Sequence, residues 1–214
     1  MTRLAKSWRE ALELLKAGNR RFTAGLRSTE SLLGHLQLKE LSVAGQRPFS
    51  IILSCSDSRV PAELLFDCGF GDLFVIRVAG NVLQPSQLAS IEFAAQGLGV
   101  QLCTVMGHSK CGALQATIDS EVNRQPGFSS NIDALMDLIR PSVRRCLEKA
   151  RSDHAPEEIL ESSIRENIHH TACEILDQSP LLSELARQGN FAISEAYYCL
   201  ETGTVEFGQT FQSA

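Results

Sequence analysis

The 214-residue chain carries 25 acidic against 20 basic side chains, a balance that argues against the basic footprint of a nucleic-acid-binding protein. No apolar run reaches the ~18 residues that a membrane-spanning helix needs, and the opening around Arg3, Lys6, Arg9 and Glu10 is charged where a signal peptide has its apolar core. Seven cysteines, an odd number scattered from Cys55 to Cys199, do not read as a disulfide framework; reduced thiols in a cytoplasmic protein, some of them on a metal, are expected.

At the N-terminus, Ser7 and Glu10 have the spacing of a capping box. Trp8, Leu12 and Leu15 then recur on one helical face until Gly18-Asn19, where the helix is expected to stop. A second short helix is expected over 32–41, before the linker Gly45-Gln46-Arg47-Pro48. From there short apolar runs alternate with helical segments. The pattern predicts strands over 49–54, 73–78, 102–106 and 191–196, and helices over 86–98, from about Gly112, near 131–150 and near 157–177, with a loop through Pro126-Gly127. Pro141 predicts a kink or a fresh helix start. Ser179-Pro180 opens a further short helix that Gly189 closes, and Glu201-Thr202-Gly203-Thr204 predicts a hairpin turn into Val205-Glu206-Phe207. Such alternation implies right-handed crossovers and an α/β fold. The expected sheet is mainly parallel, four strands plus an antiparallel edge strand, flanked by helices. One domain over 1–214 is expected, with an N-terminal helical arm over 1–44 and the α/β core over 45–214.

In a parallel sheet ligands gather beyond the carboxyl ends of the strands. Cys55-Ser-Asp-Ser-Arg59 follows the first strand, and Gly107-His-Ser-Lys-Cys-Gly112 ends the third. If those strands are neighbours, Cys55, His108 and Cys111 meet. Two thiolates and one imidazole make a Cys₂His set, a catalytic zinc arrangement that keeps the fourth position open, and this mixture of soft thiolate and imidazole suits zinc. Taken singly, each residue has a plainer reading: a buried cysteine is a small hydrophobe, and Asp57 with Arg59 is a helix cap and its ion pair. Their joint occurrence after two strands favours the metal site. Cys68, Cys103, Cys146, Cys173 and Cys199 lack such company and read as core or surface filler, and His35, His154, His169 and His170 as solvated residues.

These residues resemble the β-class carbonic anhydrases, whose signature is Cys-x-Asp-x-Arg followed, after one βαβ unit, by His-x-x-Cys. The resemblance extends through Leu15-Lys-Ala-Gly-Asn-Arg-Arg-Phe22, Ser54 to Pro61, Gly71 to Arg77, Ala79-Gly-Asn81 and Ser90-Ile-Glu-Phe93, and weakens after about residue 125. It implies one zinc per chain on Cys55, His108 and Cys111, and reversible hydration of carbon dioxide to bicarbonate and a proton by zinc-bound hydroxide. In some members the aspartate takes the fourth position instead. Asp57 would accept a hydrogen bond from the hydroxide, Arg59 would hold Asp57 away from the metal, and the Gly112 N–H would help hold bicarbonate. Phe74, Ala79 and Phe93 match positions that line the carbon dioxide pocket, with Phe93 where tyrosine is frequent and Ala79 where a larger aliphatic is common.

Family members divide into an open-site type and one in which bicarbonate, in a pocket built partly by a tryptophan three residues before the first cysteine, drives the aspartate onto zinc. Here that position is Ile52, the sole tryptophan is Trp8, and Gln46 stands where the open type carries a glutamine. Both features point to the open type. The resemblance also implies a homodimer or larger assembly, in which the N-terminal helices embrace a second subunit; Trp8 and Phe22 fit that use. Partners are otherwise carbon dioxide and bicarbonate, with neither nucleic acid nor membrane. Three other readings stay open: a carbon disulfide or carbonyl sulfide hydrolase on the same zinc set, a non-catalytic zinc- or bicarbonate-binding protein, and a cysteine nucleophile activated by His108.

Overall fold

The structure is a computed structural model and describes residues 5–29, 38–125, 129–150 and 155–212. Helices α1 (Trp8–Thr23) and α2 (Leu38–Ala44) precede β1 (Ser50–Ser54), α3 (Ala62–Leu65) and β2 (Leu73–Arg77). A 3₁₀ turn (Ala79–Asn81), α4 (Pro85–Glu92) with a π turn over Phe93–Gly97, β3 (Leu102–His108) and α5 (Gly112–Asn123) follow. The rest is α6 (Ser130–Lys149), α7 (Pro156–Gln178), α8 (Pro180–Arg187), β4 (Ala192–Tyr198) and β5 (Val205–Phe211).

The five strands form one sheet in the order β2-β1-β3-β4-β5. The first four are parallel, and β5 returns antiparallel along β4, as the sequence predicts. Side chains alternate between two buried faces. Ile51, Leu53, Cys103 and Val105 point into the layer with α5, α6 and α7, while Ile52, Leu102 and Met106 point into the layer with α1 and α3. This two-sided burial explains why the central strands are almost continuously apolar. From β1 the chain moves outward to β2, and from β3 it moves the other way to β4. The boundary between β1 and β3 is therefore the topological switch point, where a doubly wound sheet opens a crevice at its carboxyl end.

Several boundaries differ from expectation for tertiary reasons. Helix α1 does not stop at Gly18-Asn19 but runs on to Thr23. A Cβ at Gly18 would lie 1.9 Å from the Phe66 carbonyl oxygen, so this glycine marks a close approach and not an end. Asn19 is buried and donates to the Leu65 and Gly203 carbonyls while accepting from the Val205 N–H. Ala11, Leu12 and Leu15 pack with Leu65, Phe66 and Val205 of the same chain, so α1 is docked on its own core. Strand β3 runs two residues further than expected because β4 pairs with it through Gly107–Tyr197 and His108–Tyr198. Pro141 sits inside one continuous α6; Asp137, whose carbonyl forfeits its helical partner there, lies on the exposed side and is solvated. The Ser179 cap and the left-handed Gly189 bound α8 as expected. Of the second predicted helix, residues 38–41 are helical, and 32–37 lie outside the described residues, as do Pro126-Gly127, His35 and His154. No described helix is long and apolar enough to cross a membrane.

Candidate metal centre

Cys55 is the first residue beyond β1, and Ile51, Leu53 and Cys55 share one side of the chain by strand alternation. His108 is the last residue of β3, fully buried at 0% exposure. Three residues on, after a left-handed Lys110, Cys111 caps α5. The two sulfurs and an imidazole nitrogen lie within 4.8 Å of one another, the one group of metal-binding type among the described residues.

The donor set fits a metal. The Ser109 carbonyl lies 2.9 Å from His108 Nδ1 and accepts its hydrogen, which leaves the Nε2 lone pair facing the sulfurs. Nε2 is buried and has no hydrogen-bond partner among the described residues. Such an orphan is costly unless something binds it. The cysteines are likewise poised. The Cys111 thiol hydrogen-bonds to Cys55 and, with the Gly80 and Asp57 amides, holds Cys55 down to about 4 against the opposing effect of burial. Cys111 is pushed up in return, although the Leu114 and Ala113 amides of the first turn of α5 pull the other way. A cation in place of the shared proton would be held by both thiolates.

Asp57 and Arg59 form the polar edge of this centre. Both Asp57 oxygens are taken by the Arg59 guanidinium, Nε to Oδ1 at 2.9 Å and Nη2 to Oδ2 at 2.7 Å, and the Arg59 N–H adds a third bond to Oδ1 at 2.9 Å. This fork holds the Asp57 carboxyl well below the usual carboxylate range. Asp57 Oδ2 stands 3.9 Å from His108 Nε2, so the carboxylate faces the donors while tethered away from them.

Three supporting residues escaped the sequence reading. Arg77, the last residue of β2, donates to the Cys55 carbonyl at 3.1 Å and the Asp57 carbonyl at 2.6 Å, fixing the loop that carries both. Ser109 donates its N–H to Tyr198 O and accepts the Leu200 N–H on Oγ, both at 2.9 Å, so the β4–β5 hairpin holds in place the Ser109 carbonyl that accepts from His108. Gly80 donates its N–H to Cys55 Sγ at 3.4 Å. A charged residue closing an apolar strand was the available signal for Arg77; the other two contacts depend on pairings far apart in sequence.

Comparison with known proteins decides the family. A family model described as carbonic anhydrase matches residues 50–205. Carbonic anhydrase 2 of Mycobacterium tuberculosis is 34% identical over 193 residues, covering 90% of this chain and 89% of that protein. The chain belongs to the β-class carbonic anhydrase family. A carbonic anhydrase of Mycolicibacterium smegmatis is also 34% identical, over 92% of this chain and 91% of that one. Among solved structures, the β-carbonic anhydrase CcaA superposes with a TM-score of 0.71 at 26% identity, over 92% of this chain and 95% of the other. A tetrameric β-carbonic anhydrase of Sordaria macrospora gives 0.73 at 20% identity, over 82% and 88%.

Zinc is the metal of β-carbonic anhydrases, and Cys55, His108 and Cys111 are the group that fits it here. Of the other residues singled out in the sequence, Ala79 lies in the 3₁₀ turn beside Gly80, and Gly112 is exposed at the first position of α5. Phe74 lies on the edge strand β2, and its ring centroid is 6.3 Å from that of Phe93 on the π turn. Phe93 is 58% exposed, and Gln46 is exposed in the segment leading into β1.

Proposed function

We propose that this β-carbonic anhydrase hydrates carbon dioxide reversibly to bicarbonate and a proton through the open form of the site, with Asp57 and Arg59 as its working polar pair. The observation that carries this reading is the convergence of Cys55, His108 and Cys111, with Asp57 held by Arg59 beside them. When bound, zinc supplies a Lewis acid that makes water acidic enough to act as a nucleophile near neutral pH. Asp57 stays ionised, so its Oδ2 is a permanent acceptor that orients the attacking water by one O–H and leaves a lone pair for carbon dioxide. Arg59 spends its fork on Asp57 and keeps that carboxylate from becoming a fourth ligand. The Gly112 N–H, at the positive end of α5, is placed to hold the product anion. Ile52, buried on the opposite face of the sheet, supplies none of the polar wall that a second bicarbonate would need.

Gln46, Phe74 and Phe93 belong, in this reading, to a face that a second copy of the chain covers. Half-buried Phe74 on the edge strand, with exposed Phe93 beside it, supports it, because such surface is costly in water. The chain then works as a homodimer or larger assembly, with residues 1–44 and 45–214 as one unit. Seven free thiols among the described residues suit a reducing cytoplasm.

The test is stopped-flow hydration at pH 7 and 8.5 on the protein and on Asp57→Asn, with zinc quantified in both. Two thiolates make the metal more electron-rich than three imidazoles do, so faster hydration at pH 8.5 is expected. Asp57→Asn is expected to lose about 10²-fold or more while retaining one zinc per chain. Full zinc with no hydration at either pH would move the assignment to the carbonyl sulfide hydrolase or non-catalytic reading.

A further inference from the structure

The inner face of α7 is apolar at Ile164, Ile168, Ala172 and Ile175, yet Asn167 sits among them at 1% exposure. Its Nδ2 donates to the Gly80 carbonyl at 2.8 Å, whereas its Oδ1 has no partner among the described residues. A buried amide left half satisfied weakens the fold relative to an apolar side chain of the same size. The one bond it makes therefore accounts for its place there.

That bond falls on the residue whose own N–H meets Cys55 Sγ at 3.4 Å. Gly80 has φ 70° and ψ 14°, and a Cβ there would lie 2.7 Å from Ile139 Cδ1, so any other residue would be strained and would displace that side chain. Glycine is also the residue that least restrains its neighbouring peptide planes. Two bonds hold the plane that follows: the Asn81 N–H donates to Val78 O at 3.0 Å, and the Gly80 carbonyl accepts from Asn167. With that plane fixed and the 3₁₀ turn closed around Gly80, rotation about the glycine's own bonds is restrained, and the preceding plane keeps its N–H on the sulfur.

Resting on the zinc reading above, we propose that Asn167 is a positioning residue for the Cys55 donor. It holds the Gly80 peptide with its N–H aimed at the thiolate and so sets how much electron density that sulfur gives the metal. An N–H on a thiolate draws charge off sulfur, leaving a bound zinc more electron-poor and offsetting part of the donation that a two-thiolate site brings. Without it, the site would reach its working state at higher pH.

The experiment starts with the wild-type chain loaded with ¹¹³Cd. The Gly80 amide proton is expected to show scalar coupling to cadmium across the N–H···Sγ bond. Asn167→Leu, which removes the donor and keeps the volume, is expected to lose that coupling. In the cobalt form, Asn167→Leu is expected to move the thiolate-to-metal charge-transfer band to lower energy. Its hydration pH midpoint should rise. Thr171→Val, another buried polar residue one turn along α7, controls for general loosening and is expected to leave all three readouts unchanged.

Cadmium bound by the three ligands with no coupling at Gly80 overturns the proposal, and so does Asn167→Leu with unchanged coupling and band. Equal shifts in both variants also overturn it, because a purely structural role predicts them. Failure of cadmium to bind at Cys55, His108 and Cys111 instead removes the zinc reading beneath it. Should Asn167→Leu not fold, the wild-type chain decides: couplings across both Asn167 Nδ2–H···O=C and Gly80 N–H···Sγ support the proposal, and absence of either refutes it.

Discussion

Four cysteines of this chain carry the same side chain and differ in chemistry because of what surrounds them. Cys103 is wholly buried in β3, where desolvation pushes its thiol far up. Cys55 is held down chiefly by a hydrogen bond from Cys111, whose proton a metal would replace. Cys199, in the β4–β5 turn, is lowered chiefly by hydrogen bonding from Thr202, whereas burial raises the partly exposed Cys173. Thiolate is the species that alkylates. Brief iodoacetamide treatment of zinc-loaded protein at pH 7.5, read by peptide mass spectrometry, should therefore mark Cys199 ahead of Cys173 and leave Cys103 untouched. Native Cys103 labelled as fast as Cys199 would contradict the burial described for β3. At this scale the chemistry was largely legible: Cys55, Asp57, Arg59, His108 and Cys111 stand in two short motifs, and the structure places all five together. What was not legible is what steadies them: Arg77 reaches backbone carbonyls of a loop 20 or more residues away, and Ser109 O and Gly80 N are backbone atoms that carry no residue signature.

Between elements, Glu121 joins α5 to α6 by accepting from Arg140 Nε at 2.8 Å and Arg144 Nε at 2.6 Å, with its side chain only 17% exposed. These guanidinium groups, Arg144 first, hold its carboxyl below the ordinary value. A lowered folded-state value contributes stability that is complete above the unfolded glutamate value of ~4.3 and is lost as pH falls through the lowered one. Glu121→Gln should thus cost about 1 kcal/mol at pH 7, and the gap from wild type in urea unfolding should close on acidification below pH 4; a gap that widens in acid would show that the bridge is not its source. The same scale explains where sequence patterns misplaced boundaries. Gly18-Asn19 has the chemistry of a helix stop, but Asn19 finds partners 46 and 184 residues away, and these outweigh the local preference. Helices whose ends are set by their own caps, such as α8 at Ser179, were read correctly because the cap lies within three residues.

Taken whole, the molecule has an uneven surface. Among the described residues one edge of the sheet, at β2, is unpaired, with Leu64, Phe70 and Phe93 all at least half exposed on neighbouring segments. Sedimentation of the wild type at micromolar concentration should give a dimer or larger species. Phe93→Glu, which places charge on that face, should shift the mass downward and reduce hydration together. A monomeric wild type with full activity would free this surface from any part in assembly. The placement of the ligands at the switch point has a further consequence, which concerns biogenesis. Cys55 emerges from β1, but its companions arrive only after the chain has left for β2 and come back alongside as β3. An incompletely threaded chain can offer single thiols but no three-donor cage, so the metal content of freshly made protein becomes a count of molecules that have finished threading.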